Sequence, residues 1–386
     1  MANESPSIFA AMKIQPFRAL YPNLEVISSP DTFFGTVKYD FADHFANGFF
    51  RDVGEEAFFL SEIQNPSGTH LSLVASVDIE EYLQGHILKH EDTIAATEAH
   101  LTELLLQRRA MIKPVLLAYP PNAALADLLR RARQSPELYT IHFENESQRH
   151  TYHLIRDPEM IAEIRDTWER EVPQAFIADG HHRCSGNANL YRSLEKNSAA
   201  AENYRYLLCA FYAFDQLLIH EYNRVVELPR ELSPTIFLSQ LARVCQIKYL
   251  KKPGRPKGKH EMCLYINREW YRLRWRKRVL EKYAETLVAI DTDLLNREIL
   301  QDIMGIADVR NDTRIAYVDG LSGTESLEEK TDRNPFSVGF CLYPITFEDF
   351  VKVAAAGRSL PPKSTWFEPR VKNGLISFPL PGARLD

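Results

Sequence analysis

Apolar and polar positions recur along this chain with two periods, and the periods predict its elements. Strand character runs through Leu71–Val77, Lys113–Tyr119, Leu138–Phe143, Thr151–Ile155 and Ala175–Ala178. The unbroken apolar run Tyr206–Phe214 predicts a strand buried on both faces. Helical spacing marks Asp92–Arg109, with Ile94, Leu101, Leu104 and Leu105 on one face. It also marks Ala123–Gln134, Pro158–Arg170 and Cys184–Leu194. Residues Ile14–Asp52, rich in Pro, Phe, Asp and Gly, read as irregular apart from a short strand at Leu24–Ile27. The texture changes over Glu227–Thr235, which places a domain boundary there. Beyond it come a helix (Thr235–Cys245), strands (Ile247–Leu250, Glu261–Ile266, Trp270–Trp275) and a helix (Asp293–Met304). Mixed order of this kind predicts an α+β protein with a mixed sheet, organised as a core over residues 1–230 and a second α+β domain over 231–386.

A chain of 386 residues supports two such cores. Its net charge of −6 argues against a surface that grips nucleic acid throughout, and no apolar stretch is long enough for a membrane span. Residues Met1–Pro16 lack the basic and apolar regions of a signal peptide. The five cysteines at 184, 209, 245, 263 and 341 form no Cys-x-x-Cys pair, which suits reduced thiols and a cytoplasmic setting. One segment departs from the average: Lys248–Arg278 carries twelve Lys or Arg against two acidic residues. A polyanion surface is one reading, and a solvated hairpin, favoured by the alternation Tyr271-Arg-Leu-Arg-Trp-Arg, is the other.

The densest chemistry lies at Phe176-Ile-Ala-Asp-Gly-His-His-Arg183. A strand stops at Asp179-Gly180 and a helix follows, the geometry in which free backbone N–H groups and the helix dipole hold an anion. Asp179 offers a ligand for a metal or a proton, and Arg183 a bidentate oxyanion contact. Cys184 reads as a small residue packed under the helix start. A second cluster, Gly85-His-Ile-Leu-Lys-His-Glu-Asp-Thr93, puts His86, His90 and Glu91 at the entry to a helix capped by Asp92. Glu91 there suits a general base or magnesium ligand. The stretch Gly357-Arg-Ser-Leu-Pro-Pro-Lys-Ser-Thr365 superficially matches a phosphate loop, but Pro362 replaces its second glycine and removes a backbone donor. Lys363, Ser364 and Thr365 still form a polar presentation suited to a phosphate or carboxylate.

These stretches, with Ile14-Gln-Pro-Phe-Arg-Ala-Leu20, Asn65-Pro-Ser and Leu360-Pro-Pro-Lys-Ser-Thr-Trp-Phe-Glu-Pro-Arg370 before Gly374-Leu, resemble the uncharacterised DUF1015 family. The resemblance spans residues 14–375. The Asp-Gly-His-His-Arg turn is similar to the phosphate-binding turn of the ParB/sulfiredoxin superfamily, which includes free-serine kinases. Two departures stand out: Ser28-Ser-Pro-Asp in place of Pro-Pro-Tyr-Asp, and Cys184 in place of an aromatic residue. The resemblance implies a ParB/sulfiredoxin-like core and a nucleotide phosphate at Gly180, His181, His182 and Arg183. The activity expected is a small-molecule phosphotransferase, such as a kinase of free serine or a similar hydroxy acid. It would use ATP or ADP with Mg2+, Lys363 as a second cation, and Asp179 or Glu91 for the metal or the substrate proton. A ParB-like nucleotide switch with a homodimeric state, and a phosphatase of a phosphorylated small acid, are the alternatives. Small-molecule and nucleotide partners are expected, rather than nucleic acid or membrane.

Overall fold

The computed structural model describes residues 11–195 and 198–380, so residues 1–10 of the stretch read for a signal peptide lie outside the described residues. Two compact units make up the chain: Met1–Leu218 together with Pro369–Asp386, and Ile219–Glu368. The fold is α+β with a mixed central sheet.

The first unit begins with β1 (Phe17–Pro22), α1 (Pro30–Ala46), β2 (Phe50–Asn65), β3 (Gly68–Asp78), α2 (Ile79–Leu83), β4 (Ile87–Leu88), α3 (Ala95–Arg108) and β5 (Ala110–Met111). It continues through β6 (Val115–Tyr119), α4 (Ala123–Ala132), β7 (Glu137–Phe143), β8 (Gln148–Ile155), α5 (Pro158–Glu171), β9 (Ala175–Asp179), α6 (His181–Ser193), α7 (Ala199–Glu202) and β10 (Tyr206–Ala213). Among the described residues, nine strands form one sheet in the order β4-β9-β6-β10-β3-β2-β8-β7, with β1 added on β2. Strand β10 lies parallel to β6, and β4 parallel to β9, while β6 and β9 are antiparallel. That mixed centre explains why β6, β9 and β10 are almost wholly apolar: helices cover them, and their strands read as continuous runs. Leu125, Leu128 and Leu129 of α4, Trp168 of α5, and Cys184 and Ala188 of α6 join this core. Cys184 is fully buried in this core as a packing residue, and that burial pushes its thiol up to about 12.

The second unit comprises β11 (Leu218–His220, whose first residue closes the first unit), β12 (Tyr222–Glu227), α8 (Pro234–Val244), β13 (Cys245–Leu250), β14 (Glu261–Ile266), β15 (Glu269–Trp275), α9 (Lys277–Glu281) and α10 (Asp291–Leu294). Then come β16 (Ile315–Asp319), α11 (Gly323–Asp332), β17 (Ser337–Cys341), α12 (Phe347–Ala355) and β18 (Trp366–Glu368). Among the described residues, six strands pair antiparallel in the order β13-β15-β14-β17-β12-β16. Much of the basic segment is consumed structurally: Arg272 and Arg274 both meet Glu261 at 3.0 Å, and Lys259 meets Asp349 at 2.8 Å. The helix expected at Asp293–Met304 is realised as α10 followed by a π-helical stretch, Leu295–Gln301.

The chain returns to the first unit at Pro369. There β19 (Phe378–Pro379) pairs with β5, Leu20 and Ser377 exchange backbone hydrogen bonds at 2.9 Å, and the Tyr139 hydroxyl donates to the Leu375 carbonyl. Among the described residues, no helix is long and apolar enough to cross a membrane.

Several elements differ from expectation. Residues 30–46 form a helix where the composition suggested irregular chain: Pro30 sits in its first turn and Phe34, Val37 and Phe41 bury one side. Leu24–Val26 is a turn, and the strand lies earlier, at β1. Helix α3 starts at Ala95 with Ile94, not Asp92, at its cap, and none of its residues is buried. Its Leu101, Leu104 and Leu105 border a cavity rather than the core, and Ile94 is 58% exposed.

His150 on β8 provides a pH handle on this unit. It is fully buried against the Phe143 ring, its Nε2 meets Gln148 Oε1 at 3.0 Å, and its Nδ1 has no partner. Burial first, and the Lys372 charge second, push it down to about 3. The unfolded chain therefore takes up a proton near the ordinary histidine range that the folded chain refuses, so stability falls as pH drops from about 6.5 toward 3. The prediction is that His150→Phe flattens this limb of a chemical-denaturation series, and an unchanged acid slope would refute it.

Candidate functional site

Strand β9 delivers Asp179 to the edge of the core, and Gly180 turns the chain at φ +110° into α6. The helix is held below by Cys184 and Ala188, and on its flank by α3. A Cβ on Gly186 would come within 3.0 Å of Thr102 Oγ1 and 3.3 Å of the Glu98 carbonyl, so glycine lets the two helices approach without displacing either group. The first amides of α6 lie at the head of this strand–turn–helix frame, where no preceding helical turn can accept them.

Around this turn, one carboxylate oxygen holds two cations. Asp179 Oδ2 lies 2.9 Å from Arg183 Nη2 and 3.1 Å from Lys113 Nζ, the lysine that precedes β6. Burial pushes the Asp179 carboxyl up, but Arg183, Lys113 and Arg370 outweigh it and hold it well below the usual carboxylate range. Lys113 is pushed down by burial and by Arg183. A carboxylate so occupied is a poor candidate for the metal role that its sequence position suggests. Arg183 curls back over the turn, since a Cβ on Gly180 would sit 2.6 Å from its Nη2, and its Nε–H is buried with no partner.

A cavity of about 160 Å³ opens beside this cation pair. Leu101, Leu104, Leu105, Met111, Val115 and Leu207 form its apolar wall. Its polar lining includes Lys38, Arg108, Lys113, His182 and Arg183, with no acidic side chain. Two more buried atoms there lack partners: Arg108 Nε, a donor, and Asn187 Oδ1, an acceptor. Buried polar atoms are nearly always satisfied, so two such donors and one acceptor around one hollow point to a ligand with complementary groups.

The segment before α3 packs on the same turn. His181 is buried and its Nε2 meets His90 Nδ1 at 3.2 Å, while its Nδ1 lies 4.0 Å from Glu91 Oε2. Burial disfavours the charged form of both imidazoles, pushing His181 down to about 4 and holding His90 well below the ordinary histidine range. His182 Nδ1 accepts the Ile94 N–H at 3.4 Å. His86 instead pairs with Glu81.

The structure therefore brings Glu91, Asp179, Gly180, His181, His182 and Arg183 together. Lys363, Ser364 and Thr365 belong to the second unit. There Lys363 adopts φ +57°, its Nζ lies 5.1 Å from the Tyr222 ring centroid, and Ser364 Oγ donates to the Pro361 carbonyl at 2.6 Å. Lys113, Arg108 and Asn187 escaped the sequence reading. Lys113 precedes an apolar strand and Arg108 ends a helix, both ordinary positions for a cation. The only signal for Lys113 was a charge abutting a fully buried run.

The family model described as "Protein of unknown function (DUF1015)" matches residues 21–294. No curated protein matches the sequence. Among solved structures, a free serine kinase variant in complex with ADP is 11% identical, covering 78% of this chain and 92% of its own, with a TM-score of 0.39. A conserved hypothetical protein from Pyrococcus furiosus is 12% identical, with coverages of 78% and 93% and a TM-score of 0.37. SbnI from Staphylococcus aureus, truncated at its C-terminus, is 10% identical, with coverages of 78% and 85% and a TM-score of 0.40.

Proposed function

The chain belongs to the DUF1015 family, whose function is unknown, and from that premise we propose that it is a nucleotide-dependent phosphotransferase. Its acceptor, in the most concrete form, is the hydroxyl of a small hydroxy-amino acid such as serine. The observation that carries the reading is the buried, unpartnered Nε–H of Arg183, beside a second cation and at a helix N-terminus. An unmade hydrogen bond from a buried group costs about 1–3 kcal/mol, and a phosphate oxygen of ATP or ADP would remove that cost.

In this mechanism the His181 and His182 amides and the α6 dipole hold the phosphates. Arg183 and Lys113 stabilise the charge on the group in transfer, with Asp179 fixing both. The apolar hollow takes the base. At about 160 Å³ it is close to the ~150 Å³ engineered cavity that admits benzene, so it accepts one ring system. Asn187 Oδ1 would accept from an amino group on that ring. Glu91, half-exposed at the mouth of the turn, receives the acceptor's proton. Magnesium would enter with the phosphates and supply further charge neutralisation. Asp179 Oδ2 is already shared by two cations, which makes this carboxylate the less suited ligand for it.

Thermal-shift measurements against ATP, ADP, adenosine, phosphate, serine and phosphoserine, each with and without magnesium, test the reading. A nucleotide at 100 times its dissociation constant stabilises the fold by about 2.7 kcal/mol. A clear upward shift with ADP or ATP is expected. Silence across the nucleotides would sink the proposal.

A further inference from the structure

We propose that His90, Glu91 and His181 form a binding site for one first-row divalent transition-metal ion of the zinc type. Their ligand atoms lie within 4.8 Å of one another. The backbone brings them together across 91 positions: β4 runs parallel to β9, and the irregular chain after β4, with a bend at Glu91, lays His90 against His181 at the first turn of α6. Two features distinguish the cluster from a chance grouping.

The first is spacing. His90 Nδ1 and His181 Nε2 are 3.2 Å apart, with the rings crossed at 84°. Two imidazole nitrogens bound tetrahedrally to zinc at ~2.0–2.1 Å are separated by roughly 3.3 Å. An ion can therefore replace the hydrogen bond between the rings with little movement of either.

The second is orientation. His90 also donates to the Ile177 carbonyl of β9. The His90 backbone N–H also donates to His181 Nε2 at 3.5 Å, so that nitrogen presents its lone pair toward His90. A backbone acceptor behind a ligating histidine is the usual support of a metal site. His90 is 2% exposed and His181 6%, so the nitrogen ligands sit in a dry wall. The Glu91 side chain is 44% exposed with its Oε2 4.0 Å from His181 Nδ1, so the carboxylate turns toward the Nε2 side to ligate. Three protein ligands leave a position open to water or to a substrate oxygen. Two nitrogens and one carboxylate favour zinc, iron or manganese over magnesium or calcium, which take oxygen sets. One Glu91 oxygen can ligate while the other stays available for a proton.

The site is independent of the phosphate reading, because the ion needs no nucleotide. The test uses the full chain, stripped with a chelator and titrated with zinc or magnesium in the absence of nucleotide. One equivalent of zinc is expected to bind, with magnesium at least 100-fold weaker. The cobalt-substituted protein should show the visible absorption of a four- or five-coordinate N,O site. Glu91→Gln should weaken zinc by at least tenfold and His181→Ala should abolish the tight equivalent, with melting curves recorded for both. Glu91 is part-exposed, so its variant remains decisive even where the histidine variant fails to fold. Absence of a tight zinc equivalent in the parent chain, or unchanged affinity in Glu91→Gln, overturns the proposal.

Discussion

Arg183→Ala is expected to lower ADP affinity by about 100-fold or more while the protein stays folded. The guanidinium supplies a buried Nε–H without a partner and one of the two cations on Asp179. Removing one member of a buried charged contact to a ligand costs about 2–5 kcal/mol, and a hundredfold change in affinity is about 2.7 kcal/mol. Folding survives because Asp179 keeps Lys113 at 3.1 Å, so no bare carboxylate is left in the core. Turnover should fall at least as far as affinity, since Arg183 also faces the group in transfer. Calorimetry with ADP, beside a melting curve, separates the two effects. Parent-like affinity would remove Arg183 from the site.

Gly180→Val should damage binding and stability together. Gly180 holds φ +110°, a region that a β-branched residue occupies only under strain of about 1–3 kcal/mol. The new Cβ would also lie 2.6 Å from Arg183 Nη2 and 2.9 Å from its Nε. The guanidinium can swing away, but only by abandoning the turn. The variant should therefore lose ADP as Arg183→Ala does and melt at a lower temperature as well. A variant that melts early yet binds ADP normally would show that the position of the guanidinium over the turn is incidental.

The contrast between these two residues bears on what the sequence reveals. The strand–glycine–helix frame was legible because each part has a local cause: the apolar run of β9, a turn pair, then helical spacing in α6. Buried β10 and the hairpin β14–β15 were legible for the same reason. Helix α1 was not, because its Phe and Asp content masked a helix whose buried positions Phe34, Val37 and Phe41 repay packing rather than propensity. The apolar face of α3 was visible, but its neighbour is a hollow rather than a core, and nothing local distinguishes the two. Lys113 joins Asp179 only because β6 pairs with β9, and the Arg370 charge acts on the same carboxylate only because the chain returns to the first unit. A site assembled by long-range pairing hides its supporting residues even when its central motif is plain.

The central claim is that a phosphate is anchored at the β9–α6 turn with an apolar ring in the adjoining cavity. Calorimetric titration of the unmodified protein with ADP and with adenosine tests it most directly. The account predicts that ADP binds at least 100-fold more tightly than adenosine and weakens as salt rises. Equal affinity for the two, or no binding of ADP at all, would contradict it.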